Sequence, residues 1–402
     1  MKKQERGYPW GQSLNMSAWE VPASTNGRQA HLSRQLGFTG MPAQELSSIP
    51  LIDARADPLA TADPAAVCAL RDTIFGPFKS FVMPALPLAD RIARHWLARS
   101  TSPYLPEIDA IVTHTRVAGL YAINLSYEYG CTTLARADEC ERSPTLRRTL
   151  DWPFLGLGQG AIVAHRSGPG GEFFDVTWPG AVGTLTAVAP GRFAAAINQA
   201  PLLRRTCADI LRAVDYTRNL ARTLSRERGM PPLHLLRHVF ETAASFSQAL
   251  TLLETVEIAR PVLLTLIGCG PDEIAVVERC EREATVHHGP GAVANDWRKT
   301  RSGWEPRPCA LPDRRLDSVM RCAAIERAVA GSPEPFDWVI PPVRNWNTRL
   351  AIEMNAGEGW IRVLGSEPCN RLDVAPATLR FEAESVPCAA RPKSDLNCTS
   401  TG

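Results

Sequence analysis

Gly130-Cys131-Thr132-Thr133 and, further along, Arg148-Thr149-Leu150-Asp151-Trp152 are the stretches on which the reading of this chain turns. A thiol attacks a carbonyl well only as a thiolate or with a base beside it, and an Arg and an Asp three residues apart are suited to orienting such a base. Alone, a cysteine is as readily a buried apolar side chain. No Cys/His arrangement in the chain competes with Cys131 as nucleophile.

Outward from that stretch, composition narrows the classes. With 402 residues, 45% hydrophobic and 21% charged, the chain reads as an ordinary globular protein with ample length for a buried core. A net charge of +2 with no Lys/Arg run gives no reason to expect nucleic acid as a partner. Eleven cysteines without a CxxC pair exclude zinc ribbons and thioredoxin-like sites, and the chemistry calls for neither metal nor cofactor. The start, Met1 to Trp10, is basic but lacks the apolar stretch of a secretory signal, and no apolar run approaches the ~20 residues of a membrane span. The expectation is a cytoplasmic protein with reduced thiols.

Residues 1–45, polar and rich in Ser, Gly and Pro, read as a loosely held arm, and 385–402 as a tail. Ile49 to Asp53 reads as a strand; Ala66 to Phe75 and Leu88 to Arg99 read as helices, with Leu88, Ile92 and Trp96 on one face. Between those helices, Phe75 to Pro87 is apolar and broken by Pro. It reads as a buried connector, the functional alternative being the lip of an acyl-chain pocket or a membrane-touching edge. After Cys131, short runs separated by Gly168-Pro-Gly-Gly171 and Ala189-Pro-Gly191 predict an antiparallel meander. Helices follow from Pro201 to Ile258, then strands at 262–267 and 273–278 and a final pair at 349–354 and 359–364. His234 and His238, one helical turn apart, read as structural; His287-His288 read as a solvated turn; the basic helix between Arg204 and Arg228 reads as a solvated face. Gly156, Gly158 and Gly160 imitate part of a nucleotide loop without warranting a phosphate.

The flanks of the nucleophile carry a resemblance. Tyr121 to Gly130 leading into Cys131, then Arg148 to Trp152, Thr177 to Phe193, Asn198-Gln199, Leu235 to Glu241 with Ser245 to Ala249, Val293-Ala-Asn295-Asp-Trp297 and Asp313-Arg314-Arg315 stand in one order. Together they resemble the acid ceramidase and N-acylethanolamine-hydrolysing acid amidase family, N-terminal-nucleophile (Ntn) hydrolases of the choloylglycine-hydrolase-like group. The resemblance runs from about Ile49 to Leu364.

It implies an α+β fold, an αββα sandwich of two antiparallel sheets flanked by helices. It implies self-cleavage between Gly130 and Cys131, with 46–130 as the upstream segment and 131–384 as the segment bearing the nucleophile, the two staying associated. The freed Cys131 would be nucleophile through sulfur and base through its α-amine, whose ordinary pKa is about 7.7–8. Arg148 and Asp151 would orient it, Arg148 by bonding Asp151 and a backbone carbonyl. Asn295 would donate to the oxyanion, Asn198 would match an oxyanion-side Asn, and Arg314 and Trp178 would serve the substrate pocket. Gln199 stands where the family carries Glu, keeping shape but losing charge. Gly130 stands where a bulkier residue is usual and could adopt strained backbone angles. The implied substrate is a fatty-acyl amide, ceramide- or N-acylethanolamine-like, with peripheral membrane contact. The alternatives are an acyltransferase using the same thioester, and an uncleaved, inactive lipid-binding relative.

Overall fold

The structure is a computed structural model that describes residues 46–76, 79–125, 129–137, 143–205, 211–307, 309, 313–331, 334–370 and 372–384. The arm read at 1–45 and the tail read at 385–402 lie outside these residues.

Upstream of Gly130 the chain makes strand β1 (Leu51–Asp53) and the helices α1 (Pro64–Phe75), α2 (Leu86–Leu97) and α3 (Leu105–Thr115). Asp63 caps α1: its carboxylate accepts the Ala66 N–H at 2.8 Å, and Pro64 takes the first helical position, where no donor is lost. Trp96, Leu97, Ile108 and Ile111 join the helices in one apolar cluster. On α2 the expected face is only partly buried: Leu88 and Ile92 are 61% and 46% exposed. Steps of four residues overshoot the 3.6-residue turn, and the packed stripe runs through Leu86, Ala93, Trp96 and Leu97 instead. Among the described residues of the connector expected to be buried, Leu86 is buried, Phe75, Val82 and Met83 are half-buried, and Lys79, Ser80, Pro84, Ala85 and Pro87 are exposed.

From Gly130 the meander appears as β2 (Gly130–Arg136), β3 (Thr145–Asp151), β4 (Ile162–Gly168), β5 (Gly171–Thr177), β6 (Thr186–Ala189) and β7 (Phe193–Gln199), with β8 (Leu202–Leu203) after it. Helices α4 (Arg212–Arg226), α5 (Pro232–Thr242) and α6 (Phe246–Thr255) precede β9 (Val262–Ile267), β10 (Ile274–Arg279), β11 (Ala284–His288), β12 (Gly291–Val293) and β13 (Trp304–Glu305). Helix α7 (Arg314–Gly331) leads to β14 (Thr348–Asn355), β15 (Trp360–Pro368), β16 (Val374–Pro376) and β17 (Phe381–Glu384). His287 and His288, read as a turn, lie in β11, antiparallel to β10 opposite Val276 and Ala275. The pattern misled because β11 is an edge strand of largely polar, half-exposed residues without alternation.

One sheet runs β1-β4-β5-β6-β7-β9-β10-β11, antiparallel except for the β1–β4 pair; the other runs β12-β2-β3-β14-β15-β16, with β17 also on β15. Strand alternation assigns the faces. On β7, Phe193 points outward to Phe240 of α5, ring centroids 4.8 Å apart, while Asn198 points inward to Thr133 of β2. On β2, Leu134 points outward to a cluster with Ala324 and Ile325 of α7. Two sheets packed face to face, with α5 and α6 outside one and α7 outside the other, make the αββα sandwich that the resemblance implied. No helix among the described residues is long and apolar enough to cross a membrane.

Candidate active site

The site is built where β2 begins. β2 and β3 pair antiparallel with Gly130 opposite Asp151, Cys131 opposite Leu150 and Thr133 opposite Arg148. Cys131, Thr133 and Arg148 therefore share the face between the sheets, while Asp151 belongs to the other face. Arg148 Nη2 donates to Cys131 Sγ at 2.6 Å, and its Nη1 is held by the Leu185 carbonyl at 3.0 Å and by Thr186 Oγ1 at 2.5 Å. The expected bond from Arg148 to Asp151 is thus absent, because residues three apart on a strand face opposite ways. The backbone-carbonyl contact expected of Arg148 is present.

Asp151 is served by other residues. Its Oδ1 accepts from Thr348 Oγ1 at 2.8 Å, and its nearest cation is Arg321 of α7, Nη1 to Oδ2 at 3.9 Å. Asp151 Oδ2 is buried and has no hydrogen-bond partner among the described residues. An acceptor left so costs about 1–3 kcal/mol.

Arg321, which sequence reading passed over, is the hub of the outer side. It is fully buried and donates to the Cys131 carbonyl at 2.5 Å, Thr132 Oγ1 at 2.8 Å, Asn295 Oδ1 at 3.0 Å and Asp317 Oδ2 at 3.0 Å. The neighbouring Asp313-Arg314-Arg315 drew attention instead. Arg314 bonds Glu305 at 2.5 Å. The Asp317/Arg321 spacing of one helical turn was the one available signal, and it is common to many surface helices.

The three amides sit at the site's upper edge. Asn295 Oδ1 accepts the Cys131 N–H at 3.0 Å while its Nδ2 donates to the Gln199 carbonyl at 2.9 Å. The oxyanion role implied for it needs that donor, which in the intact chain is engaged by Gln199. Asn198 Nδ2 ties down the Val293 and Ala294 carbonyls at 2.9 and 3.0 Å, and its Oδ1 accepts from Thr133 at 2.6 Å. It positions the loop that carries Asn295. Gln199 Oε1 accepts the Tyr129 N–H at 2.8 Å, holding the residue just before Gly130. Trp178 stands apart in an apolar wall, its Nε1 on the Leu157 carbonyl at 2.8 Å and its ring edge-on to Trp152.

Gly130 is ordinary extended strand, not the strained residue expected; it is absent from the positions with positive φ. Its missing side chain serves close packing, since a β-carbon there would overlap Cys309 Sγ. The loop of Gly156 and Gly158 holds a carboxylate of the chain itself: Glu367 accepts both N–H groups, at 2.9 and 2.7 Å.

No family model and no curated protein matches the chain. Among solved structures it is similar to a Caenorhabditis elegans N-acylethanolamine-hydrolyzing acid amidase (NAAA) ortholog, at 18% identity over 56% of this chain and 93% of that one, TM-score 0.43. It is also similar to penicillin V acylase from Agrobacterium tumefaciens, at 12% identity over 58% and 83%, TM-score 0.35. A third is a mutant conjugated bile acid hydrolase from Clostridium perfringens, at 9% identity over 64% and 97%, TM-score 0.36.

Electrostatics follow from burial. Burial pushes the Cys131 thiol up to about 11, the Arg148 and Arg321 cations offsetting only part of it. Near neutrality the intact chain therefore carries a neutral thiol. Burial also raises the Asp151 carboxyl, against the pull of Arg321. Burial works against the charge on Arg321 as well, but Cys309, Asp317 and Asp151 around it outweigh this and keep it a cation.

Proposed function

We propose that the protein is a self-processing N-terminal-cysteine amidase that cleaves N-acylated amines. The observation that carries this reading is Asp151 Oδ2, a buried acceptor without a partner among the described residues, on the residue directly opposite Gly130. An α-amine at Cys131 would bring more N–H donors than the peptide nitrogen it replaces, and one of them could satisfy this oxygen. The nitrogen's other neighbour, Asn295 Oδ1, is already an acceptor.

The chemistry runs in two rounds. In the first, Cys131 Sγ attacks the Gly130 carbonyl; the C–N bond breaks as the S–C bond forms, the thiol proton passes to the departing nitrogen, and water hydrolyses the thioester. The freed amine, titrating near ~7.7–8 when unperturbed, then accepts the thiol proton for attack on a substrate amide. Arg148, 2.6 Å from Sγ, favours the thiolate as it forms. The substrate's amine leaves with that proton and water again releases the acyl group. Asn295, once released from the Gln199 carbonyl, would donate to the oxyanion, a contribution worth about 10²–10³ in rate in comparable sites.

The test is the intact mass of the purified full-length chain. Wild type should resolve into fragments ending at Gly130 and starting at Cys131, and Cys131→Ala should remain whole. A folded wild-type protein that stays uncut through long incubation from acid to neutral pH would remove the base from the mechanism and the reading with it.

A further inference from the structure

Cys309 approaches the Gly130–Cys131 bond from the side opposite the nucleophile. Gly130 pairs with Asp151, and a side chain at 130 would point to the outer face of β2, while the Cys131 side chain takes the inner one. A β-carbon at Gly130 would overlap Cys309 Sγ, with Asp151 Cβ next at 3.4 Å. The sulfur thus fills, from a distant part of the chain, the place of the missing side chain. Cys309 is held there by its own peptide groups. Its N–H donates to Asp317 Oδ2 at 3.1 Å, the oxygen that also accepts from Arg321 Nε. Its carbonyl accepts from Asn347 Nδ2 at 3.0 Å, and the Asn347 carbonyl accepts the Trp152 N–H at 2.6 Å. The thiol makes a longer contact, 3.8 Å, with Asn295 Oδ1, which accepts the Cys131 N–H. Burial pushes the Cys309 thiol above its usual range, against the pull of Arg321 and with Asp151 and Asp317 adding to the rise. Near neutrality it stays protonated, and so is neither a second nucleophile nor a base.

We propose that Cys309 is a positioning residue for self-cleavage, a backstop that holds the Gly130 peptide in line with Cys131 Sγ. This rests on the amidase reading above and deepens it. Glycine has the widest backbone freedom of any residue, so a glycine at the bond to be cut needs its surroundings to fix it. Gln199 takes the Tyr129 N–H before it, and Asn295 takes the Cys131 N–H after it. Pairing with β3 holds Gly130 within the sheet, and the sulfur closes the direction across the sheet. That is the direction in which Gly130 would draw back from a nucleophile on the inner face. A misplacement of about 1 Å can cost about 10² in rate, which sets the scale of the effect. No bond forms or breaks at Cys309, and the chemistry of the cut is unchanged by it.

The experiment follows the rate at which the fragment beginning at Cys131 appears from full-length protein, across pH, with melting curves alongside. Cys309→Ala removes the sulfur's bulk and its S–H together; Cys309→Val removes the S–H and keeps the bulk. Cys309→Ala should cut at least about tenfold more slowly at every pH, with the shape of the pH profile unchanged, since no titrating group of the reaction is lost. Cys309→Val should recover most of the rate. So should Gly130→Ala/Cys309→Ala, in which a methyl group enters the vacated space from the other side. A merely structural role would instead make the rate follow Tm across the series. If Cys309→Ala does not fold, the other two variants decide, since a folded protein of either kind that stays slow overturns the proposal. Cys309→Ala cutting at the wild-type rate also overturns it and leaves the amidase reading standing. So does Cys309→Val as slow as Cys309→Ala, because the S–H on Asn295 and not the bulk would then matter. A folded wild type that is never cut sinks the amidase reading, and this proposal with it.

Discussion

At residue 130 the chain has glycine because Cys309 fills the space where a side chain would stand. Gly130→Ala should therefore force the Cys309 thiol aside, at about 1–3 kcal/mol, and push the Gly130–Cys131 bond out of line with Sγ. Removing the sulfur should undo this, since the next atoms around a β-carbon at 130 are Asp151 Cβ at 3.4 Å and Cys309 Cβ at 3.5 Å, ordinary contacts. The prediction is a coupled pair: poor cleavage and a lowered Tm in Gly130→Ala, both largely restored in Gly130→Ala/Cys309→Ala. The fraction cut on a denaturing gel and the four melting curves measure it, and additive effects would disprove the contact. The contrast between residues 148 and 321 shows what sequence reveals at this scale. Arg148 could be placed because one strand pairing carries it to Cys131. Arg321 could not, since its bond to the Cys131 carbonyl spans 190 residues and depends on how α7 docks on the sheet. The same limit hid Thr348 behind Asp151, and the alternation of β3 overturned the expected Arg148–Asp151 bond.

At the scale of elements, the segment before Gly130 is fastened to the rest by specific bonds rather than by apolar contact alone. β1 pairs with β4; Trp96 Nε1 donates to the Thr223 and Glu227 carbonyls at 3.0 and 3.2 Å; Glu107 pairs with Arg237 at 2.7 Å; Tyr104 donates to Glu241 at 2.6 Å. Asn124 bonds the Gly180 carbonyl and accepts from Val182 N–H. A cut at Gly130 should leave the two pieces together: they should co-elute on gel filtration in plain buffer and separate only in denaturant. Elution of the small piece on its own from a folded preparation would contradict this. The meander and the hairpin of β14 and β15 were legible because alternation and Gly-containing turns mark them locally. β11 and α7 were not. The first is a polar edge, and the second is placed by its packing on β2 and β12, which no local pattern announces.

Across the whole molecule, two buried groups pull the pH dependence of stability in opposite directions. His234, bonded through Nδ1 to Ser102 at 2.7 Å, is pushed down to about 3, chiefly by burial with Arg237 adding to it. Between pH 6.5 and 3 the unfolded chain binds a proton there that the folded chain does not, so stability from this group is present above 6.5 and lost as pH falls. Asp175 is raised to about 6 by burial, against Arg166 and Arg237. Between 6 and 3.8 the folded chain holds the extra proton, so this contribution grows as pH falls and offsets the first. His234→Gln should thus gain stability relative to wild type as pH drops below 6.5, by up to ~1.4 kcal/mol per unit, in denaturant titrations at several pH values. A difference that stays flat would mean that His234 is not held neutral. The bonds that fasten the upstream segment carry one more consequence once Gly130 and Cys131 are parted. Contacts that were made within a single chain become an association between two, and mass action then applies: dilution favours separation, and excess of either piece opposes it. The stability of the mature protein would no longer be a property of the sequence alone but of how much of it is present.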